Sequence, residues 1–442
     1  MKEFLDYIDA HDTNELHPSD IAKLLQRLDD ETFAKALKLV PRDLLGDVAL
    51  ALPDRLFDDV VEHSSVAELS HAVTELESDD QAEFMQELHE IDEEKASEVF
   101  ESLDEEDQEE IVKLQNYAEN EAGSYMQLET FTAYKNEIVK DVVERFAKLR
   151  KANELENVQN LFITNEYNKL RYTIGLDNLL IFDFSKTLDE NIQESEETFE
   201  PKFAYDSDDI KEVVHTFEEY DLSVMPITNK YGVLLGRITS DDIYDIINEH
   251  ATEQMYNLAG LDDDAEDDEE VLKAGKKRAT WLGLNLFTAI TASLVIGMFS
   301  DTLQSIVALA ILMPIVASMG GNAGTQTLTV VVRQLALGEI CSGDALRIVK
   351  KEVLISVING LLFAIIMGII AAVWFDMALL GVVIGLSMVI NLFFAGFFGA
   401  IIPLFLKRLD IDPAIGSTVI LTTVTDVVGF VSFLGLATAI LL

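Results

Sequence analysis

Cysteine is nearly missing from this 442-residue chain, and the single Cys341 excludes a disulfide framework and any CxxC site. Bases are scarce where acids are plentiful. The formal charge is -47, and residues 1–275 hold 71 of the 79 Asp and Glu but only 23 of the 32 Lys and Arg. Such a field repels nucleic acid and anionic lipid heads, and it concentrates cations, divalent ones most strongly. A plainer reading of the same charge is a solvated surface suited to a salty cytoplasm. A signal peptide is also lacking: Met1 to Ala10 carries Lys2, Glu3, Asp6 and Asp9 with no apolar core, so the N-terminus is expected to stay in the cytoplasm. No GxxxxGK[ST] loop occurs, so nothing points to a nucleotide-driven pump.

What the acidic part does have is a short repeat. Apolar residues followed by cap chemistry recur at Leu28-Asp29-Asp30-Glu31, Val40-Pro41-Arg42-Asp43, Leu52-Pro53-Asp54, Leu76-Glu77-Ser78-Asp79, Ile91-Asp92-Glu93-Glu94 and Leu103-Asp104-Glu105-Glu106, mostly at multiples of twelve residues. Asp and Ser accept from the free amides of a first helical turn, acids suit its positive end, and Pro tolerates it. A solenoid-like stack of short helices is expected over residues 1–120. Between residues 121 and 250, β-branched runs appear. Val224 to Thr228, a turn at Asn229-Lys230-Tyr231-Gly232, and Val233 to Thr239 read as strand, hairpin, strand, followed by a helix capped at Thr239-Ser240-Asp241-Asp242. Gly236, Ile238, Thr239 and Asp242 resemble the signature of the second half of a CBS-domain pair. The first half is degenerate: Leu161 to Thr164 and Leu170 to Ile174 supply its strands, but Asp177 falls one residue late. Residues 251–278 read as an acidic connecting helix, with eight acids in the nine residues Asp262 to Glu270.

Long apolar runs are confined to residues 279–442. Five stretches, near Trp281–Phe299, Leu303–Val332, Val353–Phe375, Leu379–Leu406 and Ile415–Leu441, each suffice to cross a bilayer. The nine bases from Lys276 onward all fall before the first span, between the second and third, or between the fourth and fifth. That bias puts the N-terminus inside and the C-terminus outside the plasma membrane. Asp426 is the one acid deep in a span, with Thr422 and Thr418 one and two turns before it on the same face. Pro314 and the run Gly320-Gly321-Asn322-Ala323-Gly324 should loosen the second span and free carbonyls toward a cavity; alternatively, the glycines serve close helix packing. Carbonyls, hydroxyls and a carboxylate are hard oxygen donors that suit Mg2+ or Ca2+. Asp426 could also be a structural acid bonded to a neighbouring helix. If it is not, a two-fold dimer bringing two copies to one axis would make a divalent-selective ring.

Met313-Pro314 through Gly320-Gly321-Asn322-Ala323-Gly324-Thr325-Gln326-Thr327, Arg333, Leu337-Gly338-Glu339, and Leu421-Thr422-Thr423 through Asp426 and Gly429 together resemble the MgtE family of magnesium channels. The likeness covers the chain in order: α-helical acidic domain, α/β CBS pair, connecting plug helix and five-helix membrane domain. It implies a homodimer in membrane lipid, with the second and fifth spans lining the pore. Asp426 would select the ion, Gly321, Asn322 and Gly324 would form a pore-side kink, and Thr418 and Thr422 would face the pore. It also implies Mg2+ sensing by Asp242, Asp245, Glu253 and Asp262, while His250 and Gln254 stand where relatives can have acids. ATP at the CBS pair, through Thr239 and Asp242, is not expected with a degenerate first half. A proton-coupled secondary transporter and a membrane-anchored sensor without transport are the competing readings, and none of the three calls for enzymatic chemistry.

Overall fold

The computed structural model describes the chain except residues 12–14, 153, 154, 156, 262–270, 337–339, 341–344 and 410. Two compact units emerge, Met1–Ile247 and Asn248–Leu442. The first begins with α1 (Lys2–Ala10), α2 (Pro18–Leu25), α3 (Asp30–Leu37), α4 (Leu45–Leu50), α5 (Asp54–His63), α6 (Val66–Thr74), α7 (Ser78–Ile91), α8 (Glu93–Ser102) and α9 (Glu105–Gln115). All six cap motifs open a helical element. Asp29 accepts from the Thr32 amide, Asp92 from the Lys95 amide and Asp104 from the Glu106 and Asp107 amides, while Pro53 and Glu77 precede α5 and α7. Alternate helices pack on one another, α2 on α4, α4 on α6 and α6 on α8, which builds the stacked layout expected of the repeat. Phe4, Leu25, Phe33, Phe57, Phe84 and Leu88 are buried in its core, with Phe57 and Phe84 edge to face at 5.0 Å.

The rest of this unit contains two three-stranded sheets of the same plan. The first orders β1 (Thr132–Tyr134), β2 (Asn160–Thr164) and β3 (Leu170–Gly175); the second orders β4 (Ala204–Tyr205), β5 (Val224–Thr228) and β6 (Leu234–Thr239). In each, the outer strand runs parallel to the middle one and the last two form an antiparallel hairpin. The hairpins lie side by side: the Leu170 amide donates to the Gly232 carbonyl and the Leu234 amide to the Asn168 carbonyl. Gly232, at φ +77°, supplies the left-handed turn residue of the second hairpin. Helices α10 (Val139–Lys151), α11 (Leu176–Ile181), α12 (Leu188–Glu194), α13 (Ile210–Tyr220) and α14 (Ser240–Ala259) complete the pair. The two halves differ at one corner. Thr239 and Asp242 close α14 with a hydrogen-bonded cap, whereas Gly175 precedes α11 and the displaced Asp177 is exposed.

Helix α14 runs unbroken through residues 250 and 251, where the texture of the sequence changes. It stops at Gly260, whose positive φ of +72° lets the Leu261 amide reach back to the Tyr256 carbonyl. The membrane unit continues with α15 (Val271–Gly297), the short α16 (Ser300–Ser305), α17 (Val307–Ala336), α18 (Ala345–Phe375), α19 (Ala378–Arg408) and α20 (Ser417–Leu441). Five of these helices are long and apolar enough to cross a membrane. α19 lies at the centre, packed by α17, α18 and α20. Its glycines permit that crowding: a Cβ on Gly381 would sit 2.3 Å from the Gly368 carbonyl of α18, and one on Gly399 would sit 2.8 Å from the Gly324 carbonyl of α17.

Candidate functional site

The glycine-rich segment is the first place where the structure departs from expectation. α17 is one continuous helix from Val307 to Ala336, through Pro314 and through Gly320 to Gly324, with no loosened turn. The reason is packing. A Cβ on Gly320 would lie 2.2 Å from Asn391 Nδ2 of α19, and one on Gly324 would lie 3.0 Å from Leu421 of α20. Small residues here let three helices close up, so the backbone bonds of α17 remain made. A Cβ on Gly321, by contrast, would meet nothing within 4 Å, and Asn322 is exposed, with Nδ2 3.5 Å from Ser318 Oγ.

α17 and α20 run antiparallel, because Gly324 meets Leu421 while Gly320 and Gly429 both meet Asn391. Asp426 lies on α20 between Leu421 and Gly429, at the depth of the glycine-rich segment. It is half-buried and makes no hydrogen bond or ion pair among the described residues. The neighbouring-helix bond that a purely structural acid would need is therefore not made among the described residues. The six candidate pore residues divide into two groups. Asp426, Thr422, Gly321 and Asn322 lie on open or half-open sides of the two helices, whereas Gly324 and Thr418 are used in packing. Thr422 Oγ1 donates to the Thr418 carbonyl at 2.7 Å, and Thr418 Oγ1 donates to the Leu258 carbonyl at 2.9 Å, at the end of α14. Each hydroxyl oxygen keeps lone pairs for a ligand.

The acids expected to act as a sensor do not gather in one place. Asp262 lies outside the described residues. Asp242 and Glu253 share α14 eleven residues apart, about 16 Å along its axis, too far to hold one ion within a chain. Glu253 instead contacts His250 Nδ1 at 3.0 Å. Asp242 accepts from the Thr239 amide at 3.1 Å and Thr239 Oγ1 at 2.6 Å, and its close acidic neighbours include Asp79 and Asp80, on the first turn of α7. Burial pushes the Asp242 carboxyl up to about 6, against the lowering bonds from Thr239. Burial, then Glu83 and Asp242, push Asp80 up to about 8; burial, then Asp80 and Asp242, hold Asp79 well above the usual carboxylate range. Burial and Asp241 raise Asp245. On α9, burial and Glu129 carry Glu110 to about 7. Among the described residues no three Asp, Glu, His or Cys side chains form a ready cage for a metal. The seam is a crowded, under-neutralised set of carboxylates, and Arg237, fully buried on β6, brings its guanidinium to 3.7 Å from Glu77.

Asp79 and Asp80 were legible only as helix-cap acids; nothing in the sequence brings them to a partner 160 residues away. The same order of parts is found in known proteins. Residues 16–120 match the MgtE intracellular N domain, residues 198–249 the CBS domain, and residues 313–436 the MgtE divalent cation transporter domain. The magnesium transporter MgtE of Bacillus subtilis is 30% identical over 99% of this chain and 94% of its own length. The chain belongs to the MgtE family of divalent cation transporters. The MgtE of Thermus thermophilus, also a magnesium transporter, is 28% identical over 97% of this chain and 94% of its own length. Among solved structures, the cytosolic domain of the Mg2+ channel MgtE in complex with ATP aligns with a TM-score of 0.48 at 25% identity, over 53% of this chain and 92% of that one. The CBS match covers the second half of the pair, where Thr239 and Asp242 stand, and the family assignment agrees with a multi-pass membrane protein.

Proposed function

We propose that this MgtE-family chain is a Mg2+ channel that admits the ion to the cytoplasm and is closed by Mg2+ bound to its acidic cytoplasmic part. The observation that carries this reading is Asp426: an acid in a membrane-spanning helix, without a partner among the described residues, level with the glycine-rich segment of α17. An ionisable group at such depth is costly unless it serves an ion path or faces another polar surface. Mg2+ loses its water reluctantly, so one carboxylate per subunit, with Thr422 and the open side of α17 at Gly321 and Asn322, suits a hydrated ion. Two copies of Asp426 about the axis of a homodimer in the lipid bilayer would double the charge and select divalent ions.

The driving force is the inside-negative potential, worth about 4.6 kcal/mol for a divalent ion per 100 mV. The bases Lys407, Arg408, Lys350 and Lys351 on one side support an inward N-terminus and an outward C-terminus. Closure would come from the seam of Asp79, Asp80 and Asp242, with Asp245, Glu253 and Asp262 as further acids. Their mutual repulsion holds the cytoplasmic part loose until Mg2+ neutralises it, and Mg2+ shifts the population only by binding the closed form more tightly. Conduction of this kind needs no enzymatic step. ATP has a poor seat at the CBS pair, because Asp242 is already bonded to Thr239 and crowded by α7 acids.

Vesicles containing the purified protein test the reading. With a potential imposed and no pH gradient, Mg2+ should enter, and raising Mg2+ on the cytoplasmic face should stop it. Entry that requires a proton gradient would replace the channel with a coupled transporter; entry indifferent to cytoplasmic Mg2+ would remove the sensor.

A further inference from the structure

Asn391 is a fully buried polar side chain of the membrane unit that the ion path does not use. It sits on α19, fully buried, inside a run that is otherwise apolar from Met388 to Phe398. Its Nδ2 donates to the Val316 carbonyl of α17 at 2.8 Å. That carbonyl is an acceptor only, so the amide must turn its nitrogen toward it. The side chain fills a slot whose two walls are glycines on different helices: a Cβ on Gly320 of α17 would lie 2.2 Å from Nδ2, and one on Gly429 of α20 would lie 2.9 Å from it. The Oδ1 atom is buried with no hydrogen-bond partner among the described residues. A buried polar atom left unpaired in the middle of a membrane protein needs a reason, since Leu of similar size would pack there without the penalty.

We propose that Asn391 is a positioning residue for Asp426: wedged between Gly320 and Gly429 and tied to Val316, its amide fixes the separation of α17 and α20 at the depth where Asp426 meets the ion. This rests on Asp426 and the open side of α17 forming the ion path. Asn391 itself does not line that path. Gly429 is one helical turn from Asp426, and Gly320 immediately precedes Gly321 and Asn322, so a shift at the wedge moves both walls. Selectivity for a hydrated divalent ion depends on the width between those walls, and a displacement of well under a helix diameter is enough to lose it.

The test compares Asn391→Leu, Asn391→Ser and Asp426→Asn with the parent protein, each purified and placed in lipid vesicles. Thermal unfolding reports folding, and entry of Mg2+ and of Na+ reports flux and selectivity. Folded Asn391→Leu should lose Mg2+ entry roughly tenfold, and its Mg2+-to-Na+ ratio should fall with it. Asn391→Ser keeps a donor of shorter reach and should fall between Leu and the parent. If either folded variant keeps the parent's entry and ratio while Asp426→Asn loses them, the wedge has no positioning role. Lower entry at an unchanged ratio also overturns the inference, because it marks a merely structural residue. Should Asn391→Leu fail to fold, the Ser variant alone decides. Normal entry through Asp426→Asn would instead refute the ion path on which the inference stands.

Discussion

Carboxylates are handled in opposite ways by the two units. In Met1–Ile247 they are so numerous that several share one seam, where Asp79, Asp80 and Asp242 press on each other and resist ionisation. In Asn248–Leu442 one carboxylate, Asp426, stands in an apolar helix with no partner among the described residues. Crowding makes a group whose charge is adjustable by protons or metal, which suits sensing. An isolated carboxylate has no such adjustment, which fits the selecting role proposed for it.

The sharpest way to break this contrast is to remove the isolated charge. Asp426→Asn should lower Mg2+ entry into vesicles at least about tenfold while leaving the thermal unfolding of the protein unchanged, since no bond among the described residues depends on the carboxylate. Full Mg2+ entry through a folded Asp426→Asn protein would return Asp426 to a structural role.

Next in size are two neighbouring glycines that the sequence treats alike. Gly320→Leu drives a side chain into Asn391 and should cost about 3 kcal/mol or more, visible as lost folded protein. A Cβ at Gly321 has open space around it to 4 Å, so Gly321→Leu should fold and still block entry by projecting from the open side of α17. A conducting Gly321→Leu protein would move the path away from that side.

The smallest effect concerns the crowded seam. Asp242, Glu110 and Asp80 are raised to about 6, 7 and 8, so the folded state binds protons that the unfolded chain has released. Their contribution to stability is complete below the ordinary carboxylate range, near pH 4, and is lost as pH rises through 6 to 8. Without divalent ions the melting temperature should therefore fall across that window, and Mg2+ should restore it most at pH 8. Asp80→Asn should flatten the profile and raise the pH 8 melting temperature by about 2–4 °C. A flat profile in the parent protein would mean that the seam opens to water and is not under electrostatic strain.

How much of this could be read from the sequence depended on how local the physics was. The helix caps at Asp29, Asp92 and Asp104 were legible because a cap is closed by its own first turn. The five spans were legible because a bilayer imposes length and composition. Both hairpins of the CBS pair announced themselves by β-branched runs, but β1 and β4, two or three residues long, show no alternation to detect. The glycine-rich segment misled for a definite reason: glycine loosens a helix in isolation and tightens one that has a neighbour, and Asn391 and Leu421 become neighbours only in three dimensions. The approach of Asp79 and Asp80 to Asp242 was hidden for the same reason, and Asn391 was one amide in a long apolar run.

That amide also constrains how the protein can be made. During synthesis α17 enters the bilayer before α19, and α20 comes last. Asn391 therefore enters with one wall of its slot, at Gly320, already available and the other, at Gly429, still unmade. Until α20 arrives, the amide faces lipid or a transient partner on that side. Insertion of the last helix is then the step that seals the node. A chain truncated before residue 417 should leave that side of the amide without its wall in the membrane core.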